Sequence, residues 1–236
     1  MRSQIALALV ADGRWPSGGH AHSGGLEAAV RAGLVTDSET LHSWLAGRLR
    51  TTGEVDASFG SVSWTLAIPE DLTGTGPDTV CEHRQRWALV SEEYWARVPV
   101  PSLRAASRTL GRATLRAAAA TWPLPAPLRP DRPVEGDWPW PLAFGAAARA
   151  CGMDKETTAV ALATASVQGP AWSATRLMGL DPYQVARSLA RLVDDIEQVA
   201  RRASQCDMES LPSLSAPLLD IGAGNHATQE VRLFAS

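Results

Sequence analysis

The chain has 236 residues, 45% of them hydrophobic and 20% charged, with a formal net charge of −3 and a pI near 6.0. A single domain of this length can bury roughly 70–75% of its unfolded surface, and the composition excludes disordered and collagen-like chains. The slightly acidic balance gives no general attraction to nucleic acid or to anionic membranes.

Cys81, Cys151 and Cys206 are too few and too far apart for a disulfide framework or a zinc motif, which fits a reducing, cytoplasmic setting. The apolar run Ile5–Ala11 stops at Asp12 and reads as a first helix rather than a signal segment, and no stretch approaches the roughly 18–20 apolar residues of a membrane span.

Nearly every periodic segment has the helical period. Thr36 and Glu39 have the spacing of a capping box, followed by Leu41, Trp44, Leu45 and Leu49 on one face up to Gly53. Val55, Phe59, Val62 and Leu66 form a second such face, closed by Pro69. The loop Leu72–Asp78 leads to a helix from Pro77 to Arg97, and another spans Ser102–Thr121. Residues 123–141 are proline-rich and predict a long extended loop crossing one domain. Beyond it come a helix over Leu142–Cys151 capped by Gly152, and a longer one over Lys155–Met178 interrupted by Gly169-Pro170.

Asp181-Pro182-Tyr183-Gln184 opens the clearest helix, with Val185, Leu189, Leu192, Ile196 and Val199 as its buried stripe. After Ala203 the periodicity fades into a tail, residues 207–236, rich in Ser, Pro and Gly. Leu218, Leu219, Ile221, Leu233 and Phe234 give that tail apolar surface with little local reason to fold, so it is expected to order on a partner, the alternative being that it closes the chain's own core as many C-termini do. No strand alternation appears. The expected architecture is an all-α, single-domain bundle of roughly eight to ten helices over 1–236 with an extended C-terminal tail.

The segment "WPSGGHAHSGGLEAA", Trp15–Ala29, concentrates glycine and histidine before a helix. His20 and His22 could ligate a metal, and with Glu27 they form the raw material of a helical metalloenzyme or hydrolase. No companion ligand motif accompanies them, and histidines hydrogen-bonded in a turn are the simpler reading. The segment lacks the Lys-Ser/Thr ending of a phosphate loop and no strand precedes it. Gly18, Gly19, Gly24 and Gly25 are better explained by turns of positive φ and close packing, making a rigid corner. Separately, Arg104, Arg108, Arg112 and Arg116 recur every four residues as a basic row, either solvated or facing an acidic partner.

Pro16-Ser17-Gly18-Gly19 followed by His22-Ser23-x-Gly25-Leu26-Glu27 resembles the opening signature of the urease accessory protein UreF family. Arg104-x-x-Ser107-x-x-x-Gly111-Arg112 is similar to the family's central helix, Phe144-Gly145 to a pair after its proline-bounded approach, and His226 with Arg232-Leu233-Phe234 to its closing segment. Trp15, His20, Ala235 and the stretch 176–182 depart from the pattern. The resemblance implies a non-enzymatic urease maturation factor with no cofactor of its own. Such a factor bridges a UreD/UreH-type protein and the GTPase UreG, handling nickel only transiently on its way to apo-urease. Independently of the resemblance, the longer apolar helices could present faces to a second copy, so a homodimer is expected, and no catalytic constellation is assembled. Partner contacts are expected at Pro16, Gly18, Gly19, His22, Ser23, Glu27, Arg104, Arg112, His226, Arg232, Leu233 and Phe234.

Overall fold

The computed structural model describes residues 2–12, 15–67, 77–124, 138–229 and 231–234, without the side chains of His20 and residues 77–84. Most of the proline-rich stretch 123–141, residues 68–76 and the side chains of Cys81 and His83, on which some of these expectations fall, therefore lie outside the described residues. Among the described residues the chain is helical and contains no strand. The α-helices are α1 (Arg2–Val10), α2 (Leu26–Arg31), α3 (Ser38–Arg48), α4 (Glu54–Leu66), α5 (Pro77–Ala96) and α6 (Pro101–Thr121). They are followed by α7 (Trp140–Cys151), α8 (Lys155–Met178), α9 (Pro182–Ala190), α10 (Val193–Gln205) and α11 (Pro217–Ala227).

The start of α3 differs from the expected box. Its cap is Asp37, whose carboxylate accepts the amides of Glu39 and Thr40 at 3.1 and 2.8 Å. Thr40, not Glu39, closes the reciprocal bond to the Asp37 amide at 3.0 Å. Nor does Gly53 end the helical run, because a π-helical turn over Leu49–Gly53 carries α3 into α4. A π-turn widens the helix by one residue and rotates the next helical segment about the axis, which lets Leu41, Leu45 and Leu49 and then Val55, Phe59 and Val62 all be buried.

The helix read as continuous from Pro182 is two. A turn at Arg191–Leu192 separates α9 from α10, yet Val185, Leu192 and Val199 are all buried. Three Arg–carboxylate pairs fasten this unit to α3, the π-turn and α4: Arg191 to Glu39, Arg50 to Asp195 and Arg202 to Glu54, each with both carboxylate oxygens engaged.

Helix α4 lies at the centre, packed on by α7, α8 and α10. Its crossing with α7 is glycine-on-glycine: a Cβ on Gly145 would meet the Gly60 carbonyl oxygen, and one on Gly60 would meet Leu162. Ser63 Oγ donates to the Leu142 carbonyl across the same contact. The Phe144-Gly145 pair thus serves close helix approach. Around this axis, one apolar cluster gathers residues of α1, α2, α3, α8, α9 and α10 with one side of α4 and α7, and a second gathers α5 and α6 with the other side of α4 and α7.

The arginine row on α6 divides. Arg104 donates to the carbonyls of Val98 and Trp95 at 2.6 and 2.8 Å, closing the end of α5, and Arg108 lies over the Trp95 ring at 4.8 Å. Arg112 and Arg116 are exposed. Ser107 Oγ accepts the Trp140 amide at 2.9 Å, and Gly111 is pressed against the Trp138 carbonyl, so these two residues seat the entry to α7.

Candidate functional site at the opening motif and the chain terminus

The opening segment turns three times on glycine. Gly18, Gly24 and Gly25 have φ of +79°, +61° and +91°, a region closed to most side chains. Gly19 is the exception to the expected pattern. It belongs to a 3₁₀ turn over Gly19–Ala21, has no positive φ, and a Cβ there would meet nothing within 4 Å. Trp15 stacks on Trp122 with ring centroids 5.2 Å apart, fixing the entry to the loop, while Pro16 is exposed.

Ser23 is fully buried and its Oγ accepts the Glu27 amide at 3.3 Å, so one of the free donors at the start of α2 is satisfied. Glu27 stands in the first turn of α2, where the helix dipole favours an acid, but its carboxylate looks across the molecule to the other end of the chain. Oε1 accepts the Leu233 amide at 2.9 Å and the Arg31 guanidinium at 2.8 Å. Oε2 accepts the Phe234 amide at 3.0 Å and stands 3.0 Å from His226 Nε2. Burial pushes this carboxyl up, but the bonds from Leu233, His226 and Phe234 more than offset it and hold Glu27 below the ordinary 4.5.

Arg31 extends the grip, donating to Gln229 Oε1 at 2.7 Å and to the Val231 carbonyl at 2.6 Å. Ser102 donates to the Ala223 carbonyl at 3.3 Å, and Arg176 of α8 lies over the Phe234 ring at 5.9 Å. Residues expected to be unstructured until bound are therefore ordered: 217–227 form α11 against α2 and α6. Of the two glycines that make this stretch look like loop, Gly222 serves packing, since a Cβ there would lie 3.3 Å from that of Ala28, whereas one on Gly224 would meet nothing within 4 Å.

Of the predicted contact residues, Ser23, Glu27, His226, Leu233 and Phe234 meet at this one place, with Arg232 beside it. His22 is half-buried nearby in sequence, whereas Gly19 is exposed and Arg104 and Arg112 belong to α6. Sequence reading missed Arg31, although its position four residues after Glu27 is a signal for an ion pair on a helix. The hydrolase alternative required Glu27 as a reacting group, and both its oxygens are engaged by the terminus. Among the described residues no three His, Cys, Asp or Glu side chains are grouped to hold a metal. A cavity of about 20 Å³ between Gly25, Ser102, Ala223, His226 and Arg232 has room for one water and for no substrate.

The closed terminus exposes several large apolar side chains, with the charged Arg232 exposed among them. Leu218, Ile221, Val231 and Leu233 are 69%, 61%, 76% and 59% exposed, in contrast with Phe234 at 5%. Together they place unburied hydrocarbon on one short stretch of chain.

A sequence profile of the UreF family matches residues 35–193, two-thirds of the chain, leaving out both the opening signature and the terminus. Over their whole lengths, the chain is 38% identical to the urease accessory protein UreF of Mycobacterium sp. (strain JLS) and 36% identical to that of Mycolicibacterium vanbaalenii. That of Mycobacterium marinum is 35% identical, again over all of both chains. The chain belongs to the UreF family. The full-length likeness extends membership past the profile match to both segments that meet at Glu27, so the resemblance carried by those segments and the geometry concern the same residues.

Proposed function

We propose that this UreF-family chain is a urease maturation factor that works as a non-enzymatic scaffold in the cytoplasm. It joins a UreD/UreH-type protein and the GTPase UreG into the complex that loads nickel into apo-urease, with nickel as cargo. Full-length likeness to proteins named urease accessory protein UreF supports the urease role. The observation that carries the scaffold role is the closure at Glu27: the two most distinctive segments of the chain build one surface, with buried polar groups inside and Leu218, Ile221, Val231 and Leu233 outside. Exposed apolar side chains on an ordered terminus suit a stable partner better than a flexible tail would, because less order has to be gained on binding. No helix among the described residues is long and apolar enough to cross a membrane. The homodimer is part of the same reading, and light scattering on the purified chain measures it.

The test is co-expression of urease subunits with UreD- and UreG-type proteins, with and without this chain. Urease activity that depends on the chain is the expected result; equal activity in its absence overturns the reading.

A further inference from the structure

Helix α8 runs unbroken from Lys155 to Met178 although Pro170 lies inside it. Proline has no amide hydrogen, so the carbonyl four residues earlier, that of Ser166, loses its helical donor. Arg48, the last residue of α3, supplies the replacement: its Nε donates to the Ser166 carbonyl at 2.8 Å. The same guanidinium faces the opening motif. A Cβ on Gly24 would lie 2.9 Å from Pro170 Cγ, 3.2 Å from an Arg48 terminal nitrogen and 3.3 Å from its Cζ. The Gly24 turn therefore rests on a platform of proline ring and guanidinium, three residues before Glu27. Asp56 of α4 acts on Arg48 electrostatically, and Tyr94 of α5 donates to Asp56 at 2.9 Å. Arg48 is half-buried and further lies against Trp44, 6.0 Å from the ring centroid.

We infer that Arg48 is a positioning residue for the partner-docking surface: by repairing the proline break in α8 and bearing on the Gly24 turn, it sets where α2 presents Glu27 to the chain terminus. The assignment rests on the proposed docking role of that surface. Among the described residues the hydrogen bond and ring contact of Arg48 go to Ser166 and Trp44 and not to the terminus, so its effect there passes through the Gly24 turn. A guanidinium is needed rather than a charge alone, because the planar fork directs Nε to the Ser166 carbonyl while its terminal nitrogens face Gly24.

The test compares the full chain with Arg48→Met and Arg48→Lys by amide hydrogen exchange. The expected result for Arg48→Met is roughly ten-fold faster exchange at Leu233 and Phe234, with a much smaller change in the core helix α7, as local opening separate from global unfolding predicts. Arg48→Lys is expected to loosen the terminus as much as Arg48→Met. Unchanged terminal exchange, equal acceleration in α7, or full rescue by lysine each overturns the assignment. If Arg48→Met lacks a cooperative unfolding transition, Arg48→Gln, neutral and still a donor, takes its place with the same expectation. A second arm measures capture of a UreD-type protein, expected to fall with the terminal protection. Failure of the unmodified chain to capture that protein counts against the docking reading, while the exchange result still decides the role of Arg48.

Discussion

The carboxylate of Glu27 and the backbone amide of Phe234 are joined at 3.0 Å across 207 residues of chain. That bond, with its companion from Leu233 and the contact to His226, turns a first-turn acid into the anchor of the opposite terminus. Glu27→Ala leaves two amides and a buried imidazole without their acceptor. Breaking one side of such a buried pair costs about 3–5 kcal/mol. In a chain of this size the melting temperature is expected to fall by on the order of 10 °C. Thermal unfolding followed by circular dichroism checks this, and a fall of only a degree or two would mean that the terminus contributes little to the fold.

The two most informative carboxylates give stability opposite slopes with pH. Glu27 is held below 4.5, so its contribution is present above that pH and is lost as pH falls through its folded value. Asp37 and Asp154, held low by their capping bonds, add to the acid loss in the same direction. Burial raises Asp56 to about 6 against the opposing influence of Tyr94 and Arg48. The folded state thus binds that proton more tightly than the unfolded one, and Asp56 makes stability rise as pH falls from about 6 toward 3.8. Melting temperature plotted from pH 8 to 3 should therefore pass through a maximum on the acid side of neutrality. Asp56→Asn should flatten the rise between pH 6 and 4 and leave the steep acid loss in place.

The glycines of the opening motif are unequal. Gly24→Ala places a methyl group in the left-handed region and 2.9 Å from the Pro170 ring, combining backbone strain with overpacking at about 2–4 kcal/mol. Gly19→Ala meets nothing and needs no unusual φ, so a change within about 0.5 kcal/mol is expected. Chemical denaturation of both variants tests the contrast; equal losses would place the rigid corner elsewhere than at Gly24.

How much of this was legible depends on the range of the interaction. Leu41, Leu45, Val55, Phe59 and Val62 announce their helix faces through local period alone, and all are buried. The break between α9 and α10 left no mark, because Val185, Leu189, Leu192, Ile196 and Val199 keep helical spacing straight through it and no glycine or proline stands at Arg191. Helix α11 was hidden for another reason. Its glycines and alanines look like loop until Ala28 is seen packed against Gly222, and that neighbour lies nearly two hundred residues away. The motif residues Ser23, Glu27, His226 and Phe234 were readable as candidates, and the spacing of Arg31 from Glu27 signalled their ion pair, but the reach of Arg31 to Val231 and the contacts of Arg48 and Pro170 around Gly24 exist only in three dimensions.

The docking claim is best tested on the outward side chains, since removing the terminus would also strip Glu27 of its partners and unfold the surface along with the contact. Leu218, Ile221 and Leu233 are each more than half exposed, so changing all three to serine should move the melting temperature little, as exposed positions generally do. Capture of a UreD-type protein by the triple variant, measured beside the unmodified chain at equal concentration, is the decisive measurement. The account predicts loss of at least about 100-fold in affinity, the effect of removing two or three apolar anchors; capture at full strength by a stable triple variant would contradict it.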